Sequence, residues 1–320
     1  MTESQTHNDS LIKHLYHDIF RIRWVEQEIM RLYPTDVIKS PVHLSIGQES
    51  ISVGVCDNLK KTDIVFGTYR GHALYLAKGG NLNAMMAELY GKLDGCCQGK
   101  GGSMHLIDPS VNMMGTSAVV ASSISEAVGY AMGVKYKGSA EVVVCFFGDG
   151  ATDQGVFHES LNFASLKKLP ILFVCENNNY AIHSRLIDRS AQGSLYKFAE
   201  VYNIPTHIQS EGDVFKLRDL VGILVKKIRN GSGPHFIEAH TYRWLEHVGS
   251  QEDWDFKYRS KDEINHWKKN DQIKMLGSLL EASQKDIIEN KVKDEVKAAI
   301  EFAEKSPFPG QLDLHKNVYK

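Results

Sequence analysis

The sequence predicts an α/β chain: a parallel sheet flanked by helices, with helical extensions at the N- and C-terminal ends. Three observations carry that expectation. Apolar strand candidates alternate with helical or glycine-rich connections from about residue 62 to 250. Long amphipathic stretches lie on either side of that region. One strand candidate, "EVVVCFFGDG", runs from a fully apolar segment straight into an aspartate held between two glycines. Strands that stay apolar over their whole length are those buried on both faces, the mark of parallel sheets covered by helices.

Taken in order, "LIKHLYHDIFRIRWVEQEIMRLY" places Leu11, Leu15, Ile19, Ile22, Ile29 and Leu32 at helical spacing after Ser10, a residue type that caps helices. A long helix over 11–33 is expected. "EVVVCFF", a helix near 152–167, "PILFVCE", a helix near 213–229 and "PHFIEAH" then supply the strand and helix alternation, and residues 262–304 read as helical. There are no internal repeats and no low-complexity linker. The expectation is one domain over 1–320, with 1–10 and 306–320 as surface tails.

Composition narrows the function. The 320 residues are 42% hydrophobic and 24% charged with a net charge of −2, enough chain for a substantial core. No basic run offers a footprint for nucleic acid or an anionic membrane. No apolar stretch approaches a membrane span, and "MTESQTHNDS" lacks the regions of a signal peptide. A cytoplasmic protein acting on small molecules is expected. The five cysteines, Cys56, Cys96, Cys97, Cys145 and Cys175, lack metal-ligand spacing and read as reduced thiols.

The strand that ends on Gly148-Asp149-Gly150 addresses function more directly. In open α/β sheets ligands bind beyond the carboxyl ends of strands, where turns and helix N-termini expose backbone N–H groups. The glycines let the backbone approach an anion, and Ala151 and Thr152 can aim amides at it. The spacing fits neither the dinucleotide fingerprint nor a P-loop, and alone the tripeptide is more often a plain tight turn. A second strand changes the weighing, because "PILFVCENNNYAIHS" delivers Asn177, Asn178 and Asn179 to the end of a neighbouring strand, with 26 residues separating Gly150 from Asn177. A carboxylate and an asparagine carbonyl at one sheet edge form a hard oxygen pair of the kind Mg²⁺ takes together with a diphosphate.

These residues resemble the cofactor motif of the thiamine diphosphate enzymes, GDG followed some two dozen residues later by NN. Over roughly 15–305 the chain is similar to the α subunit of the E1 component of 2-oxo acid dehydrogenase complexes of the pyruvate, acetoin and branched-chain types. "FGTYRGHALYLAKGG", "CCQGKGGSMH", "GDGATDQG", "KLPILFVCENNNYAIHS" and "TYRWLEHVG" carry the likeness. The resemblance implies the diphosphate-binding half of a thiamine diphosphate-binding fold. It implies Mg²⁺ held by Asp149, the Asn178 side chain and the Tyr180 carbonyl, the diphosphate gripped by Tyr69 and Arg70, and amides from Gly150 and Ala151. Val120 matches the segment lining the middle of the cofactor. His43 and His247 match two active-site histidines of pyruvate-type relatives, placed for proton transfer.

By the same resemblance the other half of the site comes from a β subunit in an α2β2 assembly. The reaction is decarboxylation of a small 2-oxo acid with transfer of the acyl unit to a lipoyl-bearing E2. An alternative is a carboligase that passes the acyl unit to an aldehyde or ketone, and a third reading is a non-catalytic scaffold, which has no need of Asp149, Asn178, Arg70 and His247. Two departures from the family bear on the acceptor. Val248 stands where family α subunits usually carry a serine that is a phosphorylation site in mitochondrial members, which excludes that regulation, and Glu246 sits beside His247, where a carboxylate would raise the histidine's pKa unless it is a solvated loop charge. Ser125 and Glu126 also depart from the usual residues and face either the cofactor or solvent.

Overall fold

The computed structural model describes residues 8–316. Its centre is a sheet of six parallel strands in the order β2-β1-β3-β4-β8-β7. The strands are β1 (Ile64–Thr68), β2 (Met113–Ser117), β3 (Val143–Gly148), β4 (Ile171–Asn177), β7 (Thr206–Gln209) and β8 (His235–His240); a two-stranded hairpin, β5 (Tyr180–Ala181) and β6 (Ser184–Arg185), stands apart from them. The three strands foreseen from apolar runs are all present, displaced by one or two residues.

β3 shows why those runs are unbroken. Its residues alternate between faces: Val144 and Phe146 join one apolar cluster, while Val143, Cys145 and Phe147 join another. The first cluster packs under α1 (Asp9–Leu32), α2 (Glu49–Cys56), α3 (His72–Ala77), α4 (Leu82–Leu89), α9 (Val214–Arg229) and α12 (Ala282–Lys305); the second lies under α5 (Ser122–Lys137), α6 (Gly155–Leu166) and α8 (Tyr196–Glu200). Helices on both faces leave no solvated side for a polar residue.

The N-terminal helix differs from expectation at its start. Asn8, not Ser10, is the cap, its side chain accepting from the Ser10 amide at 3.0 Å, and Ser10 lies inside the helix. An asparagine two residues earlier satisfies the same free amides. Residues 262–304 form three helices rather than one: α10 (Lys261–Lys269), α11 (Gln272–Gly277) and α12. Asp271 restarts the chain by capping α11 through the Ile273 amide.

The segment 306–316 lies at the surface and is anchored. Lys92 donates to the Ser306 carbonyl and sits over the Phe308 ring, and the Leu93 amide donates to Pro307. Residues 1–7 and 317–320 of the expected tails lie outside the described residues. Among the described residues no helix is long and apolar enough to cross a membrane. All five cysteines are free thiols.

The topology fixes where a ligand can sit. From β1 the chain passes to β2 on one side, then returns to place β3 on the other, so the order reverses between β1 and β3. Such a reversal opens a crevice at the carboxyl ends of the two strands. β1 ends just before Tyr69 and Arg70, and β3 ends at Gly148, just before Asp149.

Candidate active site

A cavity of about 440 Å³ occupies that crevice, and it brings together His43, Tyr69, Arg70, Val120, Asp149, Gly150, Ala151, Asn178, Tyr180 and His247. The ten positions to which the resemblance assigns a role therefore meet at one place. The volume is that of a cofactor pocket.

The β3 turn is built differently from the helix start expected there. Asp149–Asp153 form a single 3₁₀ turn, closed by the Thr152 hydroxyl donating to the Asp149 carbonyl at 2.8 Å, and α6 begins only at Gly155. The 3₁₀ turn, not the first turn of α6, presents the Gly150 and Ala151 backbone to the cavity. A Cβ at Gly150 would lie 2.9 Å from the Ala181 Cβ, so glycine is required for the turn to meet the β5–β6 hairpin.

β4 separates its asparagines. Asn177 turns away: its amide donates to Glu238 at 2.7 Å and its oxygen accepts from the Asn179 amide. Asn178 lines the cavity, its Nδ2 donating to Gln48 Oε1 at 2.9 Å and its Oδ1 accepting from the Tyr180 amide at 3.1 Å. Because Gln48 takes the donor end, the Asn178 oxygen keeps one lone pair free. The Tyr180 hydroxyl is committed to Glu263 at 2.9 Å, which leaves only its main chain to serve a ligand.

Two buried carboxylates face this space. Burial raises Asp149 to about 6, against the lowering influence of Arg189 and of the Asp149 and Asn178 amides. Burial likewise raises Glu176 to about 7, with Arg70 as the opposing charge. Arg70 is itself lowered to about 10 by burial and by Arg243, so it keeps its charge at neutral pH. Its guanidinium donates to the Leu44 carbonyl and to the His247 carbonyl, the latter at 3.1 Å. Arg70 thus clamps together the two segments that carry the histidines, which also pair through the His43–Gly249 bridge and the Gly249 amide on Val42.

The histidines form a three-ring cluster with Tyr69. Ring centroids are 5.2 Å apart for His43 and His247, 4.4 Å for His43 and Tyr69, and 5.7 Å for Tyr69 and His247. Burial first, then Arg70, lowers His43 to about 3 and His247 to about 2. Both imidazoles are neutral at physiological pH, each keeping one ring nitrogen as a hydrogen-bond donor and one as an acceptor.

The raised His247 expected from Glu246 does not occur. The Glu246 carboxylate folds back to accept the Gln251 amide at 2.8 Å, closing its own loop, and it does not line the cavity. Glu126 is exposed on α5 and likewise lies off the cavity. Val248 is exposed.

The loop bearing His247 is held by a buried ionic cluster. Arg243 donates to the carbonyls of Leu245 and Ile182, both at 2.7 Å, and Arg259 donates to the carbonyls of Arg243 and Leu245 and to Asp253 at 2.6 Å. Ile182 lines the cavity with φ 54°, a left-handed conformation rare for a β-branched residue that its surroundings must enforce. The Arg243 bond to its carbonyl is part of that enforcement.

Gln48, Glu176 and Arg189 were not assigned roles from the sequence. Glu176 stands inside the motif "KLPILFVCENNNYAIHS" and Gln48 five residues after His43, so position beside a motif residue is the available signal. Arg189, in "RLIDRS", carried none.

The donor set suits a hard divalent cation with a phosphate group: the Asp149 carboxylate and Asn178 oxygen, a buried Arg70, and a glycine turn that a side chain would obstruct. Burial holds Asp149 above the ordinary carboxylate value even with Arg189 beside it, so a cation at its free oxygen would favour the ionised form.

Comparison with known proteins gives the family. The family model described as Dehydrogenase E1 component matches residues 17–311. The chain is similar to the α subunit of acetoin:2,6-dichlorophenolindophenol oxidoreductase of Bacillus subtilis (strain 168), 37% identical over 310 residues, covering 95% of this chain and 92% of the relative. It is also similar to the chloroplastic pyruvate dehydrogenase E1 component subunit alpha-3 of Arabidopsis thaliana, 35% identical over 336 residues, covering 99% and 78%. The pyruvate dehydrogenase E1 component subunit alpha of Rickettsia bellii (strain RML369-C) is 33% identical over 310 residues, covering 95% and 94%. With the family match spanning nearly the whole length, the chain belongs to the Dehydrogenase E1 component family, as an E1 α subunit of the thiamine diphosphate-dependent 2-oxo acid dehydrogenases.

Proposed function

We propose that this α subunit, with Mg²⁺ and thiamine diphosphate, decarboxylates a small pyruvate-like 2-oxo acid and passes the acyl unit to a lipoyl-bearing E2. Membership in the family implies an E1 β partner in an α2β2 arrangement. The observation that carries the reading is the meeting of Asp149, Asn178, Arg70, His43 and His247 in one cavity.

In this reading Asp149, the Asn178 oxygen and the Tyr180 carbonyl hold the metal. Tyr69, Arg70, Gly150 and Ala151 take the diphosphate, and Val120 lines the cofactor's middle. The chemistry that thiamine diphosphate supplies when bound is a stabilised carbanion for cleaving the bond beside a 2-oxo carbonyl. His43 and His247 enter neutral, each with a ring N–H donor and a ring nitrogen acceptor to orient the substrate's polar atoms by hydrogen bonds. Arg70 couples the two ends: the group that binds the diphosphate also fixes the main chain of both histidine segments, so their rings keep one geometry toward the substrate.

The alternative, a carboligase with an aldehyde or ketone as acceptor, drew its support from Glu246, Val248, Ser125 and Glu126. Glu246 is folded onto Gln251 and Glu126 is exposed away from the cavity, so the lipoyl acceptor is favoured. The resemblance to an acetoin-oxidising α subunit makes acetoin a second donor to test. The test is reconstitution with the β subunit, followed by pyruvate, branched-chain 2-oxo acids or acetoin, each with a lipoyl domain or a panel of aldehydes and ketoses. Mass spectrometry is expected to find acyl-lipoyl product from a 2-oxo acid. Carboligation product without acylated lipoyl domain overturns the reading.

A further inference from the structure

Arg189 lies outside the cavity lining, yet it grips the carboxylate at the cavity's centre. Its Nη2 donates to Asp149 Oδ2, while its Nη1 donates to the Asp149 carbonyl at 3.2 Å and to Asp153 Oδ2 at 2.7 Å. The side chains of Asp149 and Arg189 are 1% and 11% exposed, so solvent screens this pair little. We propose that Arg189 is a positioning residue for the metal site: it orients the Asp149 carboxylate and braces the hairpin bearing Tyr180, so that ligands from two strand ends meet. This rests on the reading of Asp149, Asn178 and Tyr180 as the metal's ligands.

The first part of the argument concerns the carboxylate. An aspartate's terminal torsion is broad and two-fold, so an unrestrained carboxylate offers one oxygen or two, in many orientations. Arg189 engages Oδ2 and the residue's own carbonyl together, a two-point hold that a lysine cannot reproduce in the same geometry. With Oδ2 engaged, Asp149 presents a single oxygen, which suits the near-octahedral demand of Mg²⁺ for one-oxygen ligands.

The second part concerns connectivity. Tyr180 opens the β5–β6 hairpin, and the outgoing strand runs directly into the short helix α7 (Leu186–Arg189), whose last residue is Arg189. The hairpin's near end is held by the Leu186 amide on the Asn179 carbonyl at 2.8 Å, and its tip by Arg243 on the Ile182 carbonyl at 2.7 Å. Its far end returns to the β3 turn through Arg189, forty residues from Asp149 in sequence. Contacts between the β5 hairpin and the 149–153 turn complete the joint, where Gly150 admits Ala181. Releasing Arg189 frees both the carboxylate and the exit of the segment that presents Tyr180.

The experiment uses the α chain reconstituted with its β subunit, with thiamine diphosphate present and Mn²⁺ as the metal. Free Mn²⁺ is read by electron paramagnetic resonance for wild type, Arg189→Met, Arg189→Lys, Asp153→Asn and Asp149→Asn. Loss of a partner that orients a metal ligand is expected to weaken Mn²⁺ binding by about 10- to 100-fold in Arg189→Met, with turnover at saturating Mn²⁺ falling less than about threefold. Arg189→Lys is expected to fall between wild type and Arg189→Met, and Asp153→Asn to shift binding in the same direction by less. If Asp149→Asn binds Mn²⁺ as wild type does, the ligand reading itself is wrong. If Asp149→Asn loses the metal while Arg189→Met binds it as tightly as wild type or more tightly, the role of Arg189 is overturned. Should Arg189→Met fail to assemble with β, unchanged Mn²⁺ affinity in both Arg189→Lys and Asp153→Asn overturns it equally.

Discussion

Replacing Asp253 by asparagine tests the support of the loop that carries His247. The Asp253 carboxylate is buried and accepts from Arg259 at 2.6 and 2.9 Å, from Arg243 at 3.4 Å and from the Tyr258 hydroxyl. Asparagine keeps the size but leaves two buried guanidiniums without a counter-charge, and breaking a buried pair from one side costs about 3–5 kcal/mol. At roughly 2.1 cal/mol/K per residue, 320 residues have an unfolding entropy near 0.7 kcal/mol/K, so the expected fall in Tm is about 4–7 °C. The pH dependence has a definite sign. Burial alone would raise the Asp253 carboxyl, but the Tyr258 hydroxyl with the Arg259 and Arg243 guanidiniums outweighs it and holds the group below its ordinary value. The stability Asp253 contributes is therefore present above the unfolded-state value of about 4 and is lost as pH falls through the lower folded-state value. Thermal unfolding of wild type and variant in parallel should show the full gap at pH 7 and a shrinking one below about pH 4. A gap under about 1 kcal/mol at pH 7, or one that widens in acid, refutes the assignment of Asp253 as the counter-charge that holds the loop.

Asp149→Ala, assayed with the β subunit and Mg²⁺, is expected to lower decarboxylation by at least about 100-fold with the fold intact by circular dichroism; near wild-type rates at modest Mg²⁺ would show that Asp149 is not the ligand. Glu176→Gln is expected to stabilise the cofactor-free chain with rising pH, because a carboxyl raised from 4.5 to about 7 costs stability progressively over that window; a pH-independent difference in denaturant midpoint would contradict the raised value. His247→Ala and His43→Ala are each expected to reduce turnover by about 10²- to 10⁴-fold with little change in Tm, and neither ring in the wild-type chain should titrate between pH 5 and 8 by NMR.

The sequence by itself determined the sheet and the position of its chemistry. Parallel strands covered on both faces are mostly apolar, so Val143–Gly148 and Ile171–Asn177 announce themselves as near-continuous apolar runs, and His235–His240 as a shorter run interrupted by Glu238. Asp149 and Asn178 were legible because a polar residue directly after such a run can only stand at a strand end. Short strands gave no such signal: β2, "MMGTS", and β7, "THIQ", lie at the two edges of the sheet and owe their conformation to a neighbour.

Tertiary structure alone decided how the site is held. Which asparagine faces the cavity depends on Gln48 and Glu238, residues far from it in sequence that take up the amides of Asn178 and Asn177. Whether Glu246 would charge His247 depended on a turn that gives its carboxylate the Gln251 amide instead. Periodicity and motif spacing register what a residue does along its own element. The bond from Arg189 to Asp149, and the clamp of Arg70 on Leu44 and His247, exist only once separate strand ends are brought to one edge of the sheet.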